Sequence, residues 1–123
     1  MKLQEAIETI EKIIPANKFD TSMIIKFISD LDRMVTDNIL RKHENTKNAV
    51  FDGYDDNSDG DCELLVPAPY DDIYIHWVRT KIDLLNQDYE RYNSSASAFY
   101  TQYHNYAQKF NRENKPITTV INI

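Results

Sequence analysis

Apolar and aromatic residues recur every three or four positions through most of the second half of the chain, a spacing that places them on one face of an α-helix. The positions are Ile75, Val78, Ile82, Leu85, Tyr89, Tyr92, Ala96, Phe99, Tyr103, Tyr106 and Phe110. Asn86 favours a left-handed helix C-cap and Asp88 is a good N-cap residue, so we expect two helices with a break at 86–88. One unbroken helix is the alternative, because the apolar phase continues across the break.

The first half of the chain has two further stripes of the same kind. The first ends before Pro15, a residue that stops a helix, and the second begins after Asp20, a good N-cap residue, and continues to about Arg41. Only two glycines and four prolines occur in 123 residues, which favours helices over a turn-rich β architecture. We therefore predict a mostly α protein, a small bundle of about four helices in a single domain spanning residues 1–123.

Residues 44–69 lose the helical period and carry most of the excess charge. Residues 44–72 hold nine acids and one base, and the whole chain has a formal net charge of −6. We expect an irregular acidic loop here, in which 49–51 and 64–66 are alternatively two extended segments paired as a loose hairpin. Residues 116–123 are uncharged and β-branched, which predicts an extended tail that packs on the bundle or pairs with another chain.

The acidic loop contains the string DDNSDGD, residues 55–61, which matches the start of a calcium-binding loop. Such a loop needs a bidentate glutamate at its twelfth position, and that position is Val66. The helix that should follow is also interrupted by Pro67 and Pro69. We therefore interpret the string as a solvated acidic turn and predict no metal site.

No motif in the sequence points to catalysis. There is no glycine-rich phosphate loop and no G-x-S-x-G, and Cys62 lies among acids that disfavour its thiolate. A single cysteine cannot form an internal disulfide, which favours a reducing compartment. The N-terminal residues contain no unbroken apolar run, so we expect neither a signal peptide nor a transmembrane span. We predict that the protein is not an enzyme and binds no cofactor.

Aromatic residues are concentrated in the second half, where Tyr70 to Tyr106 include seven of the eight tyrosines, together with Trp77. Packing between the third and fourth helices is one explanation and an interface between subunits is another, and both can hold. The uncharged tail and the acidic loop are the other candidate surfaces. The candidate interaction residues are therefore Asp55, Asp56, Asp59, Asp61, Tyr70, Trp77, Ile117, Val120, Ile121 and Ile123.

Three motifs in residues 63–116 resemble a known family. They are the L-L-V-P-x-P-Y-D entry to the third helix, the D-Y-E-R-Y-N segment of residues 88–93, and the N-R pair of Asn111 and Arg112. Together they are similar to the head-tail connector, or head completion, proteins of tailed bacteriophages and prophages of Gram-positive bacteria. The first 62 residues match that family mainly in layout, with two amphipathic helices followed by an acidic loop.

The resemblance implies a mostly helical subunit that assembles in the host cytoplasm into a homo-oligomeric ring at the virion head-tail junction. The ring would contact the portal protein and tail-side connector proteins, and DNA would pass through its lumen without sequence-specific binding. No contact with a membrane is implied. A net negative chain lacks the basic stripe of a nucleic-acid binder, but its surface suits passing DNA. Two alternatives remain, a free-standing helical hairpin adaptor that binds a protein or peptide and a calcium-responsive regulator.

Overall fold

The computed structural model describes residues 1–14 and 19–117, and four α-helices account for most of them. They are α1 (Leu3–Ile13), α2 (Thr21–Asn38), α3 (Ile73–Leu85) and α4 (Tyr89–Glu113), with short 3₁₀ turns at Leu40–Lys42 and Glu44–Thr46. The prediction of a small, mostly α bundle is confirmed. Within the described residues no β-strand forms, and only two isolated β-bridges occur, Lys2 with Glu63 and His43 with Pro116.

The apolar stripes of the sequence meet in one core. The innermost part is contributed by all four helices and by the end of the acidic loop, and α3 packs most extensively on α4. Burial of this apolar area is the main source of stability for a chain of this size. The buried apolar side chains are Leu3, Ala6, Ile7, Ile10, Ile24, Ile25, Phe27, Ile28, Leu31, Val35, Ile39, Leu64, Val66, Ile73, Tyr74, Val78, Ile82, Phe99 and Tyr106.

The break between α3 and α4 lies where the sequence predicts it, so the single long helix is excluded. The Asp88 side chain accepts a hydrogen bond from the Arg91 amide at 3.2 Å and so caps α4. The left-handed residue, however, is Gln87, with φ of 57°, and Asn86 keeps a right-handed helical conformation. The prediction that Asn86 adopts the left-handed conformation was wrong, because that conformation falls one residue later. Helix α3 continues its hydrogen bonding through Asn86, and the reversal of direction falls on the next residue.

Helix α2 ends earlier than predicted. It begins after Asp20, whose side chain accepts from the Met23 amide, but it ends at Asn38 instead of continuing to Arg41. Its last α-helical hydrogen bond runs from the Ile39 amide to the Val35 carbonyl oxygen. The next residues tighten into a 3₁₀ turn, and the buried His43 ring donates from Nδ1 to the Ile39 carbonyl oxygen at 2.6 Å. The Ile39 carbonyl oxygen thus accepts two hydrogen bonds, from the His43 ring and from the Lys42 amide at 3.2 Å.

Residues 44–69 form an irregular arm that lies along α2 and not a hairpin. The hairpin alternative was wrong because the backbone amides of Leu65 and Val66 donate to side chains of the bundle, as described below, instead of to residues 49–51. The returning half of the arm lies against the start of α1, where the Leu3 and Gln4 amides donate to the carbonyls of Cys62 and Gly60 at 3.0 Å. The arm therefore caps α1, which has no side-chain cap of its own.

Candidate interaction surfaces

The most prominent polar feature of the fold is the carboxylate of Asp32, which lies in the middle of α2 and is 0% exposed. The hydroxyls of Tyr54 and Tyr74 donate to its two oxygens, each at 2.6 Å. The Leu65 amide donates to Oδ2 at 3.2 Å, and the Val66 amide donates to the Tyr74 hydroxyl at 2.8 Å. We call these four groups around Asp32 the carboxylate anchor. It joins four parts of the chain at one point: α2, the outgoing half of the arm at Tyr54, the returning half at Leu65 and Val66, and α3 at Tyr74.

The electrostatics of the carboxylate anchor follow from its burial. Burial raises the pKa of Asp32, and the hydrogen bonds from Tyr54, Tyr74 and Leu65 offset part of that rise. Burial, together with the nearby Asp32 carboxylate, raises the pKa of both tyrosines. Each hydroxyl therefore stays protonated and donates a hydrogen bond to Asp32. A buried carboxyl group with three donors is satisfied, and its removal leaves those donors without an acceptor.

Sequence reasoning missed Asp32, although one signal was present. Asp32 lies four residues after Ile28 and three before Val35, and both of these are buried. The position therefore belongs to the apolar face of α2, where an acid is unusual unless it is paired. The partners are 22, 33 and 42 residues away along the chain, so no local pattern identifies them.

The four aspartates of the DDNSDGD string do not converge on a common point. Asp55 and Asp59 accept hydrogen bonds from the amides of Asn57 and Asp61, at 2.8 and 2.9 Å, and so close local turns. Asp56 accepts from the Ser22 hydroxyl at 2.8 Å, and Asp61 lies 3.9 Å from the Lys2 amine. Across 1–14 and 19–117, no group of three or more His, Cys, Asp or Glu side chains is placed to hold a metal ion.

The outgoing half of the arm lies so close to α2 that one position requires glycine. Gly53 has a φ of 98°, and a Cβ there would come within 3.3 Å of the Ser29 hydroxyl and the Arg33 guanidinium. The next residue, Tyr54, donates its amide to the same Ser29 hydroxyl at 3.0 Å. The arm is therefore held on α2 by backbone contacts as well as by the carboxylate anchor.

Tyr70 and Trp77 both make contacts within the chain. The Trp77 indole donates to the Phe27 carbonyl oxygen at 2.8 Å, and its ring centroid lies 4.9 Å from that of Phe99. Tyr70 packs on Tyr106 with centroids 5.8 Å apart. Packing within the chain accounts for these contacts, whereas a further role between subunits stays a prediction. Trp77 and Phe99 also occupy the space between α3 and α4.

Other aromatic and apolar side chains point outward. Tyr89 and Tyr100 on α4 are each 62% exposed, and Leu84 and Leu85 at the end of α3 are exposed as well. Scattered exposed apolar residues are normal on a protein surface. We therefore draw no site from this group alone.

The start of the tail is attached at the far end of α2. Pro116 pairs with His43, and the Ile117 amide donates to the Lys42 carbonyl oxygen at 2.9 Å. The His43 ring also lies 4.6 Å from the Phe110 ring, and its Nε2 lies 2.6 Å from the Asn111 side chain. Pro116 and Ile117 thus lie against the end of α2, whereas Val120, Ile121 and Ile123 lie outside the described residues, so the extended tail stays a prediction.

Cys62 lies in the returning arm and is partly buried. Burial raises the pKa of its thiol, and the carboxylates of Asp59 and Asp32 raise it further. The sequence attributed this effect to the acids alone, whereas burial is the larger cause. A thiol with a raised pKa is a weak nucleophile at neutral pH.

Comparison of the chain with protein-family models, curated proteins and solved structures finds no match. The resemblance to head-tail connector proteins therefore stays a prediction based on the three motifs. Of the helices within 1–14 and 19–117, none is long and apolar enough to cross a membrane.

Proposed function

We propose that this chain is a structural subunit of a tailed bacteriophage, a head-tail connector that forms a homo-oligomeric ring between the portal and the tail-side connector proteins. It would act in the host cytoplasm during assembly and reside at the virion head-tail junction. The observation that carries the proposal is the resemblance of residues 63–116 to that family. The role is structural, with no catalytic step and no cofactor.

The positions of the three family-like motifs support the proposal, because each lies at a joint of the fold. The L-L-V-P segment supplies the Leu65 and Val66 amides of the carboxylate anchor. Asp88 caps α4 at the turn of the helical hairpin. Asn111 contacts His43 at the end of α2. Proteins that share a fold need the contacts that connect its helices, so a resemblance at these positions is consistent with a shared fold.

The charge distribution also suits a ring through which DNA passes. Asp52, Asp55, Asp56, Asp59, Asp61 and Glu63 give residues 52–63 six acids and no base. A negatively charged surface repels the phosphate backbone and so prevents DNA from sticking during passage.

The alternative, a hairpin adaptor that binds a peptide between its helices, has less support. Such a groove needs open apolar surface between the two helices. In this chain Trp77 and Phe99 contact each other there, with centroids 4.9 Å apart. A peptide would have to displace this pair.

The test is assembly of the phage or prophage whose genome encodes the chain. Deleting the coding sequence should yield DNA-filled heads and complete tails that fail to join, as seen by electron microscopy. Adding the purified protein to the mixed extract should restore infectious particles. Normal joining in the deletion strain would overturn the proposal, and free heads that lack DNA would indicate an earlier role in assembly.

The tail offers a second test within the same assay. Removing residues 118–123 keeps the Ile117 to Lys42 hydrogen bond, so we expect thermal unfolding to be nearly unchanged. Head-tail joining should be lost, because the apolar β-branched end would no longer pair with an adjacent subunit. Replacing 118–123 by a Gly/Ser segment of equal length is the matched control. Full infectivity after truncation would remove the tail from assembly, and unfolding of the truncated protein would make it part of the subunit core.

A further inference from the structure

A basic cleft lies at the C-terminal end of α2, on a chain that is acidic overall. It has a volume of about 320 Å³, and Arg33, Arg41 and Lys47 line it together with the arm residues 48–51. Lys42 joins Arg41 and Lys47 in an adjoining depression, and Asp37 is the acid that lines both. We call Arg33, Arg41, Lys42 and Lys47 the basic cleft.

The charges of the basic cleft are only weakly neutralised within the chain. Arg41 lies 3.9 Å from Asp37 and Lys47 lies 4.0 Å from Glu44, and all four side chains are largely exposed. Exposed pairs at such distances contribute little and leave the side chains free to bind another partner. Val50, which also lines the cleft, is 82% exposed and offers an apolar contact beside the charges.

The complementary charge lies at the opposite end of α2. Residues 55–61, which we call the acidic tip, contain four aspartates and no base. The tip is held beside the N-terminus of α2 by the bond from Ser22 to Asp56, and beside the start of α1 by the amide of Gln4. Asp61 at its edge is 83% exposed.

The Asp56 end of the acidic tip and the Arg41 end of the basic cleft lie at opposite ends of α2. Ser22, which binds Asp56, is 16 residues before Asn38, the last residue of α2, so a rise of 1.5 Å per residue separates the two positions by about 24 Å. This distance is more than twice the screening length at physiological salt. Arg33 lies nearer the tip, since a Cβ at Gly53 would come within 3.3 Å of its guanidinium.

We propose that the acidic tip of one copy docks in the basic cleft of the next copy. This inference rests on the proposed ring, because a contact between two different surfaces of identical subunits is head-to-tail and closes into a ring when the rotation permits. Asp59 and Asp61 face Arg41 and Lys47 across the interface, and Val50 is covered at its edge. Complementary charges of this kind set the register between subunits and speed their encounter.

A nucleic-acid phosphate backbone is the competing occupant of the cleft. The acidic tip argues for a second copy, since a chain with a net charge of −6 is repelled as a whole by the DNA phosphate backbone. The cleft also holds four basic side chains, which is a small footprint for a DNA site.

Zero-length carbodiimide cross-linking tests the contact directly, because it joins only amines and carboxylates that touch. Mixed heavy-isotope and unlabelled protein at low salt should yield mixed-label cross-links from Lys42 or Lys47 to Asp59 or Asp61. A mixed label shows that the cross-link joins two copies. High salt should abolish the products.

Charge reversal provides the matched variants. Arg41→Glu with Lys47→Glu reverses the cleft, and Asp59→Lys with Asp61→Lys reverses the tip. Neither pair touches the carboxylate anchor, so both variants should fold. Each alone should self-associate about tenfold more weakly than the natural chain, measured by sedimentation. An equimolar mixture should recover association, because both of its interfaces then pair opposite charges.

The outcomes separate this contact from the proposed function. Unchanged association of both variants, no recovery in the mixture, or no self-association of the natural chain would overturn the contact. Loss of binding to a DNA duplex by the cleft variant, without cross-links to the tip, would assign the cleft to phosphate instead. Mixed-label tip-to-cleft cross-links combined with normal head-tail joining in the deletion strain would refute the connector role and keep the contact.

Discussion

Replacing Asp32 with alanine removes the acceptor at the centre of the carboxylate anchor. Three donors lose their partner, the hydroxyls of Tyr54 and Tyr74 and the amide of Leu65. A buried donor without a partner costs about 1–3 kcal/mol. Tyr54 is partly exposed, unlike the fully buried Tyr74, and can turn toward water, so its cost lies near the lower end.

The gain on removing a buried charge offsets part of this loss. Desolvation disfavours the Asp32 carboxylate, as the raised pKa of the group indicates, and alanine carries no such penalty. We therefore expect Asp32→Ala to lower the free energy of unfolding by about 3 kcal/mol, a large fraction of the 5–15 kcal/mol typical of a domain. Tyr74→Phe should cost about 2 kcal/mol, because the Val66 amide also loses its acceptor, and Tyr54→Phe about 1 kcal/mol.

The pH dependence has a defined sign. The folded pKa of Asp32 lies above the unfolded value of about 3.9, so the folded state holds this proton more tightly. The contribution of this group is fully present below the unfolded pKa and is lost as pH rises through the folded pKa. Asp32→Asn lacks this titration. The free energy of unfolding of the natural chain should therefore increase relative to that of Asp32→Asn as pH falls through the folded pKa toward the unfolded pKa of Asp32.

Urea unfolding followed by circular dichroism measures all of these variants. A cycle of Asp32→Ala with Tyr74→Phe tests the contact itself, because the second substitution should cost less when the first is already present. A cost below about 0.5 kcal/mol for Asp32→Ala would refute the reasoning, since it is the size of an ordinary surface substitution. Additive effects in the cycle, or a pH dependence of the opposite sign, would refute it as well.

Three further predictions concern other parts of the chain. Asp88→Ala should lower stability by about 1 kcal/mol in urea unfolding, because the Arg91 amide loses its cap, and no loss would mean that the cap is not used. Calcium at millimolar concentration should not raise the melting temperature, whereas a rise absent with magnesium and removed by Asp55→Ala would establish a calcium site. Trp77→Phe should cost about 2 kcal/mol in thermal unfolding, because the hydrogen bond to the Phe27 carbonyl is lost together with apolar area, and a cost near zero would place Trp77 outside the core.

The helices and the turn of the hairpin follow from local patterns. A period of 3.6 residues identifies each buried face, and Asp20 and Asp88 mark the helix starts with side chains that bond to amides three residues on. The end of α2 was less predictable. The carbonyl oxygen of its C-cap residue, Ile39, accepts from the His43 ring, which also contacts Asn111, 68 residues away along the chain.

The sequence by itself determined the helical class, the acidic middle segment and the concentration of aromatics in the second half, because these depend on residues close together in the chain. Only the tertiary structure decided that Asp32 is the buried centre of the fold and that the arm lies along α2. Those features need donors 22 to 42 residues from their acceptor. The same holds for the position of the acidic tip beside the N-terminus of α2, because Ser22 and Gln4, which hold it there, are more than 30 residues away in the sequence.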